Sequence, residues 1–503
     1  MTTHLDPTAL GSSVDEKIKG TPVVVGSTAS DCEQAGEVVV LANGTPKLDR
    51  IVSIKRDCLL ISVLGLMYLI LFLDRSNMAN ANIEGLAAGL DMPSNGYNTA
   101  LWIFYIPFVL AEIPSNLLLQ SGWVRPNLYL GSCMLLLGLL GCCQGLTHSY
   151  HGLLAVRFFL GVFESALPAG AAYMMSIYYT KTELAPRFAM FFCFALAGPF
   201  FSGLLAYAIE NLDGVAGKEG WRWIFIIEGL MTIFFGFVGL LFVPHFPAKA
   251  QSWFLKPHER EQLLAVLEAS RGPEDEGSAA DDVPLWKVLL DWRIHWFTMC
   301  FFAMDVTASS MASFIPVIVL EMGYVANRAQ IMTMPIWATG IVSSLAITFA
   351  SNYCRIRYPF ILFGICCQIA AWVVMVVYVP AVHVRYGALF LLAIGTYFQM
   401  PTITSWLSSN LRGKRHLAVG MGWIVSFGNA ANFVSSNVFI AAEKPRYPTG
   451  FRNGLSWACV AFALNGGLAA MLAYKNKKYD EARARMMPSE REEYDKLNFR
   501  FHL

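Results

Sequence analysis

Seven ionisable residues lie inside long apolar stretches of this 503-residue sequence. An ionisable group at bilayer depth costs free energy, so such a residue normally faces a cavity or a charged partner. Side chains of this kind bind an oppositely charged group or carry a proton. They are Asp74, Arg75, Glu112, Arg157, Glu164, Glu228 and Asp305.

The spacing of Arg157 and Glu164 places both on one side of a helix, because residues seven apart are separated by two turns. Two interpretations stay open. The pair could form an anion-binding or proton-handling surface, or each residue could form a structural ion pair with a neighbouring helix, for example Arg157 with Glu112.

The other charged residues also have structural alternatives. Asp74 and Arg75 lie near the end of the first stretch, where water could reach them. Glu228 closely follows an aromatic segment, and we expect it to anchor the helix. Asp305 lies near the middle of its stretch, where a hydrogen bond to Thr307 or to a neighbouring helix would satisfy it.

Glu112 comes two residues before Pro114. Proline removes a helical hydrogen bond, so we expect a broken helix here whose freed backbone groups the Glu112 carboxylate could satisfy.

Twelve apolar stretches position these residues. Hydrophobic residues make up 55% of the chain and charged residues 15%. A helix crosses the roughly 30 Å of bilayer hydrocarbon in about 20 residues. The sequence therefore predicts an all-α integral membrane protein with twelve spans, at about residues 58–80, 98–120, 127–147, 150–175, 187–210, 221–243, 294–320, 329–352, 358–379, 384–408, 416–440 and 453–474.

The spans divide into two groups of six around a polar segment. The predicted organisation is a disordered cytosolic N-terminal tail (1–55, most clearly 1–47), a six-helix bundle (56–243), a cytosolic linker (244–293), a second six-helix bundle (294–474) and a cytosolic tail (475–503). Within the linker, residues 259–264 predict a short amphipathic surface helix, and residues 272–282 an acidic connection.

Basic residues flank the first and last spans and fill the linker. Because cytoplasmic segments carry an excess of Lys and Arg, we expect both termini and the linker in the cytosol.

Several functional classes are disfavoured. The formal net charge of +1 offers no field for a nucleic-acid partner. The cysteines show no metal-binding spacing, and we find no Walker loop, nucleophile elbow or zinc-protease motif. The sequence predicts no catalytic residues, no metal, no cofactor and no enzyme activity.

Several motifs resemble those of known transporters. Residues 157–161 (RFFLG) with Glu164 are similar to the fourth-span motif of the major facilitator superfamily. Six further segments together resemble the fungal anion:cation symporter (allantoate permease) family, over about residues 56–478. They are 72–77 (FLDRSN), 80–86 (NANIEGL), 104–107 (FYIP), 112–116 (EIPSN), 221–229 (WRWIFIIEG), and 254–255 ahead of 259–260.

The resemblance implies proton-linked transport of small, usually anionic nutrients by two rocking six-helix bundles. It implies that Asp74, Arg75, Asn77, Glu112, Arg157 and Glu164 occupy recurrent polar positions. Two departures concern gating, since the connection at 122–126 (GWVRP) and that at 353–357 (YCRIR) lack the acidic residue usual in the superfamily. Asp305 is not expected from the family and is a candidate for a contact specific to this substrate.

We therefore expect a monomeric, multi-pass plasma-membrane protein that takes up a small organic anion with protons. Arg157 is the candidate carboxylate contact; Glu164, Asp74 and Asp305 are candidate proton sites. Asn429, beside the glycines of the eleventh span, joins the candidate site. The alternatives are an exporter of a fungal secondary metabolite, a signalling nutrient receptor, for which no signalling domain is visible, and a membrane enzyme, for which no reactive constellation is visible.

Overall fold

The computed structural model describes residues 48–247, 249, 253–271, 285–354, 356–411, 414–486 and 501. These residues form helices and connecting turns, and no β-strand occurs among them. The predicted N-terminal tail up to residue 47 and the acidic connection at 272–282 lie outside the described residues.

Eight helices make up the N-terminal half (N half). They are α1 (Arg50–Ile83), α2 (Leu86–Gly89), α3 (Gly96–Ser121), α4 (Pro126–Gly145), α5 (Tyr150–Glu164), α6 (Ala166–Tyr178), α7 (Lys181–Ile209) and α8 (Gly220–Phe242). Two short 3₁₀ turns, Glu210–Leu212 and Val215–Gly217, connect α7 to α8.

Two helices lie between the halves, and eight make up the C-terminal half (C half). The first two are α9 (Pro257–Arg271) and α10 (Leu285–Leu289). The others are α11 (Trp292–Leu320), α12 (Ala326–Cys354), α13 (Tyr358–Val377), α14 (Val382–Thr396), α15 (Gln399–Ser409), α16 (Lys414–Gly428), α17 (Ala431–Val438) and α18 (Pro448–Ala484); a 3₁₀ turn, Ala441–Glu443, precedes α18.

Eleven segments of the described chain are long and apolar enough to cross a membrane. The predicted span at 416–440 is not among them, and it is divided into α16 and α17, as the predicted spans at 150–175 and 384–408 are divided into α5 with α6 and α14 with α15. The division between α16 and α17 falls at Asn429 and Ala430, which form a turn. Just before it, Gly428 packs so closely on Phe301 that a Cβ there would lie 2.1 Å from the ring. The sequence predicts a span over 416–440 but not its division, since only hydropathy and not this close contact is visible in the sequence.

Other predicted boundaries also change. The first helix begins at Arg50 rather than after residue 55, and the last continues to Ala484 rather than ending at residue 474. The predicted break at Pro114 is absent, since α3 runs through both Pro107 and Pro114. Hydropathy reports the apolar part of a helix and misses polar turns that extend beyond it.

The two ends of the helix bundle differ in how the halves meet. We call the end where α1 and α11 begin the terminal face, and the opposite end the distal face. Near the distal face both halves share one hydrophobic cluster, the distal core. Its members include Met78, Tyr97, Trp221 and Phe225 from the N half, and Met311, Phe314, Trp337, Trp372 and Phe439 from the C half.

Toward the terminal face, each half has a core of its own. The N core contains residues of α1, α3 to α8 and α9, and the C core contains residues of α10, α11, α13, α15, α16 and α18. The amphipathic helix predicted at 259–264 is present as α9, whose Leu263 and Leu267 are buried in the N core. The halves are therefore joined near the distal face and have separate cores near the terminal face.

Glycines allow the close helix contacts that hold the charged segment of α1 in place. A Cβ at Gly198 of α7 would lie 2.8 Å from the backbone nitrogen of Leu73 in α1. A Cβ at Gly229 of α8 would lie 2.5 Å from the backbone nitrogen of Cys142 in α4. Small residues of this kind let helix backbones approach in membranes. Gly198 lets α7 approach the segment of α1 that carries Asp74 and Arg75, and Gly229 lets α8 approach α4.

Candidate functional site

An ion pair joins α1 to α5 in the interior of the N half. The Nε of Arg75 donates a hydrogen bond to Oε1 of Glu164. The Glu164 side chain is fully buried and that of Arg75 is 19% exposed. Sequence spacing suggested that Arg157 and Glu164 act on one surface, but the charged partner that bonds Glu164 is Arg75. Two of the candidate residues therefore neutralise each other.

Aromatic rings surround the Arg75 guanidinium. Its central carbon lies 5.2, 5.8 and 4.8 Å from the ring centroids of Phe72, Phe104 and Phe108, respectively. Ring faces attract a desolvated cation. These contacts stabilise the charge of Arg75 in addition to its bond with Glu164.

Arg157 is a buried cation of this site and has an unused donor. It is 4% exposed, and its Nε has no hydrogen-bond partner among the described residues. Its guanidinium carbon lies 5.9 Å from the centroid of Phe104, and it interacts electrostatically with Asp74. A guanidinium offers five donors in a planar fork. The free donor makes Arg157 able to bind an added oxyanion.

Asn77, two residues after Arg75, forms a hydrogen-bonded chain with α7. Ser202 donates to Oδ1 of Asn77 at 2.9 Å, and Asn80 donates to Ser202 at 2.7 Å. The amide nitrogen of Asn77 has no partner within the described part of the chain. The amide nitrogen of Asn77 is therefore still available to donate a hydrogen bond to a ligand.

Glu228 does not make the anchoring bond expected from its position. It is 1% exposed, and neither carboxyl oxygen has a hydrogen-bond partner in the segments that the structure covers. The anchor is instead Arg222, which binds Glu219 at 3.0 Å and the backbone carbonyl of Gly145 at 3.3 Å.

Asp305 is the charged candidate of the C half. It is 6% exposed and receives a long hydrogen bond, 3.5 Å, from Nδ2 of Asn432. It also bonds the hydroxyl of Ser309. The expected partner Thr307 instead has a hydroxyl without a partner among the residues described. The Asp305 carboxylate is therefore held by neutral groups.

Asn429 takes part through its backbone rather than its side chain. It lies in the turn between α16 and α17, and its carbonyl oxygen accepts a 2.9 Å hydrogen bond from the Asn432 side chain. Asn432 thereby links the helix break to Asp305. Sequence reasoning selected Asn429 and missed Asn432, because the position of the break is not visible in hydropathy.

Glu112 connects the halves instead of pairing with Arg157. It is 3% exposed and accepts a hydrogen bond from Ser426 of α16, while its Oε2 has no partner in the described chain. This contact crosses from one half to the other. Glu112 therefore belongs to the contact between the halves.

Tyr105 is a central residue that the sequence interpretation did not select. Its hydroxyl interacts electrostatically with Arg75, Glu164 and Arg157 of the N half and with Asp305 of the C half. Its ring lies 6.4 Å from that of Phe433 in α17. It was visible only as part of the segment 104–107, where an aromatic residue more often packs in a core.

The candidate residues thus form one extended site with two sides. Asp74, Arg75, Arg157 and Glu164 interact on the N-half side, and the charge of Asp305 on the C-half side acts on Arg75. The sequence profile of the Major Facilitator Superfamily matches residues 64–436. The chain belongs to that family.

Several fungal transporters are similar in sequence to this protein along most of their length. The high-affinity nicotinic acid transporter of Saccharomyces cerevisiae is 28% identical, over 84% of this chain and 77% of its own. The major facilitator-type transporter hxnP of Emericella nidulans is 29% identical, over 84% and 87%. The MFS-type transporter cnsO of Penicillium expansum is 30% identical, over 79% and 78%.

Solved structures share the fold at low sequence identity. An inward-facing bacterial homologue of the human lysosomal transporter Spinster superposes with a TM-score of 0.63 at 13% identity, covering 81% of this chain and 96% of that one. The Escherichia coli xylose transporter XylE, in a partially occluded inward-open conformation, gives 0.59 at 13%, covering 81% and 96%. The expected fold is confirmed. The protein is a multi-pass membrane transporter for a small molecule, in a family whose members are generally not enzymes.

Proposed function

We propose that this transporter takes up a small organic anion together with protons. The anion carries a carboxylate, as nicotinate does in the similar yeast protein. By the same proposal, the protein belongs to the fungal anion:cation symporter group within the superfamily and works as a monomer.

The observation that carries this proposal is the unpaired donor of Arg157. A buried guanidinium without a hydrogen-bonded counter-charge is costly, and a carboxylate fits its fork with two parallel bonds. Arg75 already uses Glu164, and Asp74 reaches Arg157 electrostatically without a described hydrogen bond. A bound carboxylate would complete the set of partners around Arg157.

The bond between Arg75 and Glu164 suggests how a proton is coupled to the anion. When Glu164 takes up a proton it loses its charge, and Arg75 then lacks its counter-charge. A second cation beside Arg157 favours binding of an anion. Release of the anion reverses the step, because Arg75 regains Glu164 only when the carboxyl loses its proton.

Asp74 and Asp305 are further candidates for proton binding. Asp74 interacts with both arginines of the site. Asp305 contacts neutral donors only, Asn432 and Ser309, so a proton there would not break an ion pair. We place the main coupling step at Glu164 and a secondary one at these two aspartates.

Alternating access requires the distal core to separate while the N core and C core approach each other. Contacts that must break include the 3.0 Å hydrogen bond from Asn98 to the carbonyl of Phe439 and the 2.8 Å bond from Gln330 to Glu84. The two halves rock around a central site in such a cycle. With the terminal face in the cytosol, the described conformation is the one that releases substrate inward.

The proposed setting is the plasma membrane, with both termini and the segment 244–293 in the cytosol. Basic residues concentrate in the first turns of α1, in the last turns of α18 and in that segment, which supports this orientation. A glycosylation reporter fused to either terminus should stay unmodified, and its glycosylation would overturn the orientation.

Uptake of labelled acids tests the function. The full-length protein is expressed in yeast cells that lack their own acid transporters, with radiolabelled nicotinate, pantothenate and allantoate offered at acidic external pH. We expect accumulation of at least one acid above the external concentration, abolished by a protonophore. Accumulation that resists the protonophore would contradict proton coupling.

Export of a secondary metabolite is the alternative outcome. Normal substrate affinity in well-expressed Arg157→Lys and Arg157→Ala variants would exclude Arg157 as an anion contact. That result would favour a neutral, exported compound.

A further inference from the structure

Two arginines meet one tyrosine ring at the distal face of the C half. Tyr378 caps the end of α13, and Arg385 lies in the first turn of α14. The guanidinium carbons of Arg385 and Arg446 lie 4.3 and 5.2 Å from the centroid of Tyr378. We call these three residues the distal arginine site.

Arg385 is buried there without an ion-pair partner in the part of the chain that the structure describes. It is 7% exposed, and its Nε has no hydrogen-bond partner among the described residues. A buried charge is costly unless it is paired and hydrogen-bonded. The contact with Tyr378 compensates only part of this cost, so the site favours an added anion.

Acidic residues of the neighbouring connections are engaged elsewhere. Glu443 accepts a 2.9 Å hydrogen bond from the backbone nitrogen of Thr449 and a second from its hydroxyl. Glu321 forms an ion pair with Lys444 at 3.5 Å. These two carboxylates therefore have other partners than the two arginines.

The surroundings of the site face the bilayer. Val377, next to Tyr378, is 68% exposed, and Val384, next to Arg385, is 38% exposed. Exposed apolar side chains at the end of a membrane helix contact lipid, and tyrosine is enriched at the level of the headgroups. The site therefore lies at the depth where phospholipid phosphates are found.

We propose that the distal arginine site binds the phosphate of a phospholipid headgroup in the leaflet at the distal face. Guanidinium groups bind phosphate oxygens through pairs of charge-assisted hydrogen bonds, and basic pockets between membrane helices hold headgroups in this way. A phosphate bound by both Arg385 and Arg446 would join the α13–α14 turn to the connection before α18. The lipid would stabilise the contact between these two connections of the C half. The same chemistry would also accept a free oxyanion.

Lipid retained by the purified protein tests this site. Native mass spectrometry of the full-length protein, extracted gently from membranes containing phosphatidylcholine and phosphatidylglycerol, counts the bound phospholipids. We expect the Arg385→Gln/Arg446→Gln double variant to retain at least about tenfold less of one lipid, as the loss of charge-assisted hydrogen bonds implies. Arg446→Gln alone, at an exposed position, should show a smaller loss and leave the fold intact.

Arg452→Gln is the matched control, since Arg452 is an exposed arginine near the same face. Equal lipid retention in the wild type and in both Arg446→Gln and the double variant would overturn the proposal.

Thermal unfolding of the delipidated protein distinguishes the two sources of the anion. Stabilisation by phosphatidylcholine vesicles and not by inorganic phosphate supports the lipid, and the reverse result would overturn it.

Discussion

The two halves of the transporter use different chemistry at the same site. On the N-half side, two arginines and two carboxylates interact with one another, and one arginine keeps a free donor. On the C-half side, Asp305 is surrounded by the neutral groups of Asn432 and Ser309. The contrast suggests that the N half binds the anion and responds to protons, while the C half contributes hydrogen bonds that discriminate between substrates.

Helix breaks lie on both sides of the site. The helices that carry Arg75 and Glu112 are unbroken, although α3 contains two prolines, but Glu164 is the last residue of α5 and lies directly before a break. Asn432, the partner of Asp305, lies in the first turn of the short helix α17, which also follows a break. Backbone groups freed at breaks of this kind can line a ligand site. The substitutions below test the division of roles between the two halves, beginning with the largest expected effect.

Arg157→Ala should nearly abolish uptake, because it removes the proposed carboxylate contact. Arg157→Lys keeps the charge but loses the planar fork, so substrate affinity should weaken by about 1.5–3 kcal/mol. Competition binding and surface labelling measure affinity and abundance together. Arg452→Lys is the control. A fall in abundance with unchanged affinity would show that Arg157 is a structural ion-pair partner instead.

Glu164→Gln should uncouple transport. The amide keeps a hydrogen-bond acceptor for Arg75 but cannot gain or lose a proton near neutral pH. Exchange of internal for external substrate should continue, while accumulation falls to the level seen with a protonophore. Glu481→Gln, at an exposed position on α18, is the control. Normal accumulation in Glu164→Gln would remove Glu164 from the coupling mechanism.

Asp305→Asn should have a smaller effect than Glu164→Gln, because no ion pair depends on it. Exchange should persist, accumulation should decrease in part, and the relative affinities for different acids should change. Ser309→Ala, which removes one neutral partner, should change the affinities without affecting accumulation. If Asp305→Asn abolishes accumulation as completely as Glu164→Gln, the proposed division between the halves is wrong.

Glu259→Gln should have the smallest effect and should act on the N half alone. Glu259 receives a 2.6 Å hydrogen bond from Lys55, which attaches α9 to α1. Burial alone would raise the pKa of Glu259. The hydrogen bonds from Lys55 and from the backbone of Lys256, together with the Lys55 charge, lower it by more than burial raises it, so the pKa of Glu259 lies below its ordinary value. Because Lys55 is partly exposed, the pair should stabilise the protein by only about 0.2–1 kcal/mol.

The direction of the pKa shift of Glu259 predicts how this small stabilisation depends on pH. A carboxyl whose pKa is lowered on folding stabilises the folded state at pH values above its unfolded pKa of about 4.3, and this contribution disappears as the pH falls through the folded pKa. The difference in thermal midpoint between wild type and Glu259→Gln should therefore vanish in acid. Glu261→Gln, at an exposed neighbouring position, should show no difference at any pH.

The sequence predicted much of the fold and only part of the site. Hydropathy located the spans because each requires an apolar stretch of fixed length. The break at Asn429 was not predicted, since close packing of Gly428 on Phe301 is a tertiary contact. Charged residues in apolar stretches correctly indicated buried positions at five of seven places, whereas Asp74 and Arg75 are partly exposed. Their pairing was not predictable from spacing. Glu164 forms its ion pair with Arg75 on another helix, and not with Arg157, which lies two turns away on the same helix as Glu164.

The apolar character of the distal core has a thermal consequence. Rings such as Tyr97 of the N half and Phe314 of the C half, with centroids 5.9 Å apart, must part whenever the distal face opens. Exposing apolar surface to water raises the heat capacity, so the enthalpy of opening increases with temperature. If this opening limits the cycle, an Arrhenius plot of the transport rate will be curved rather than straight.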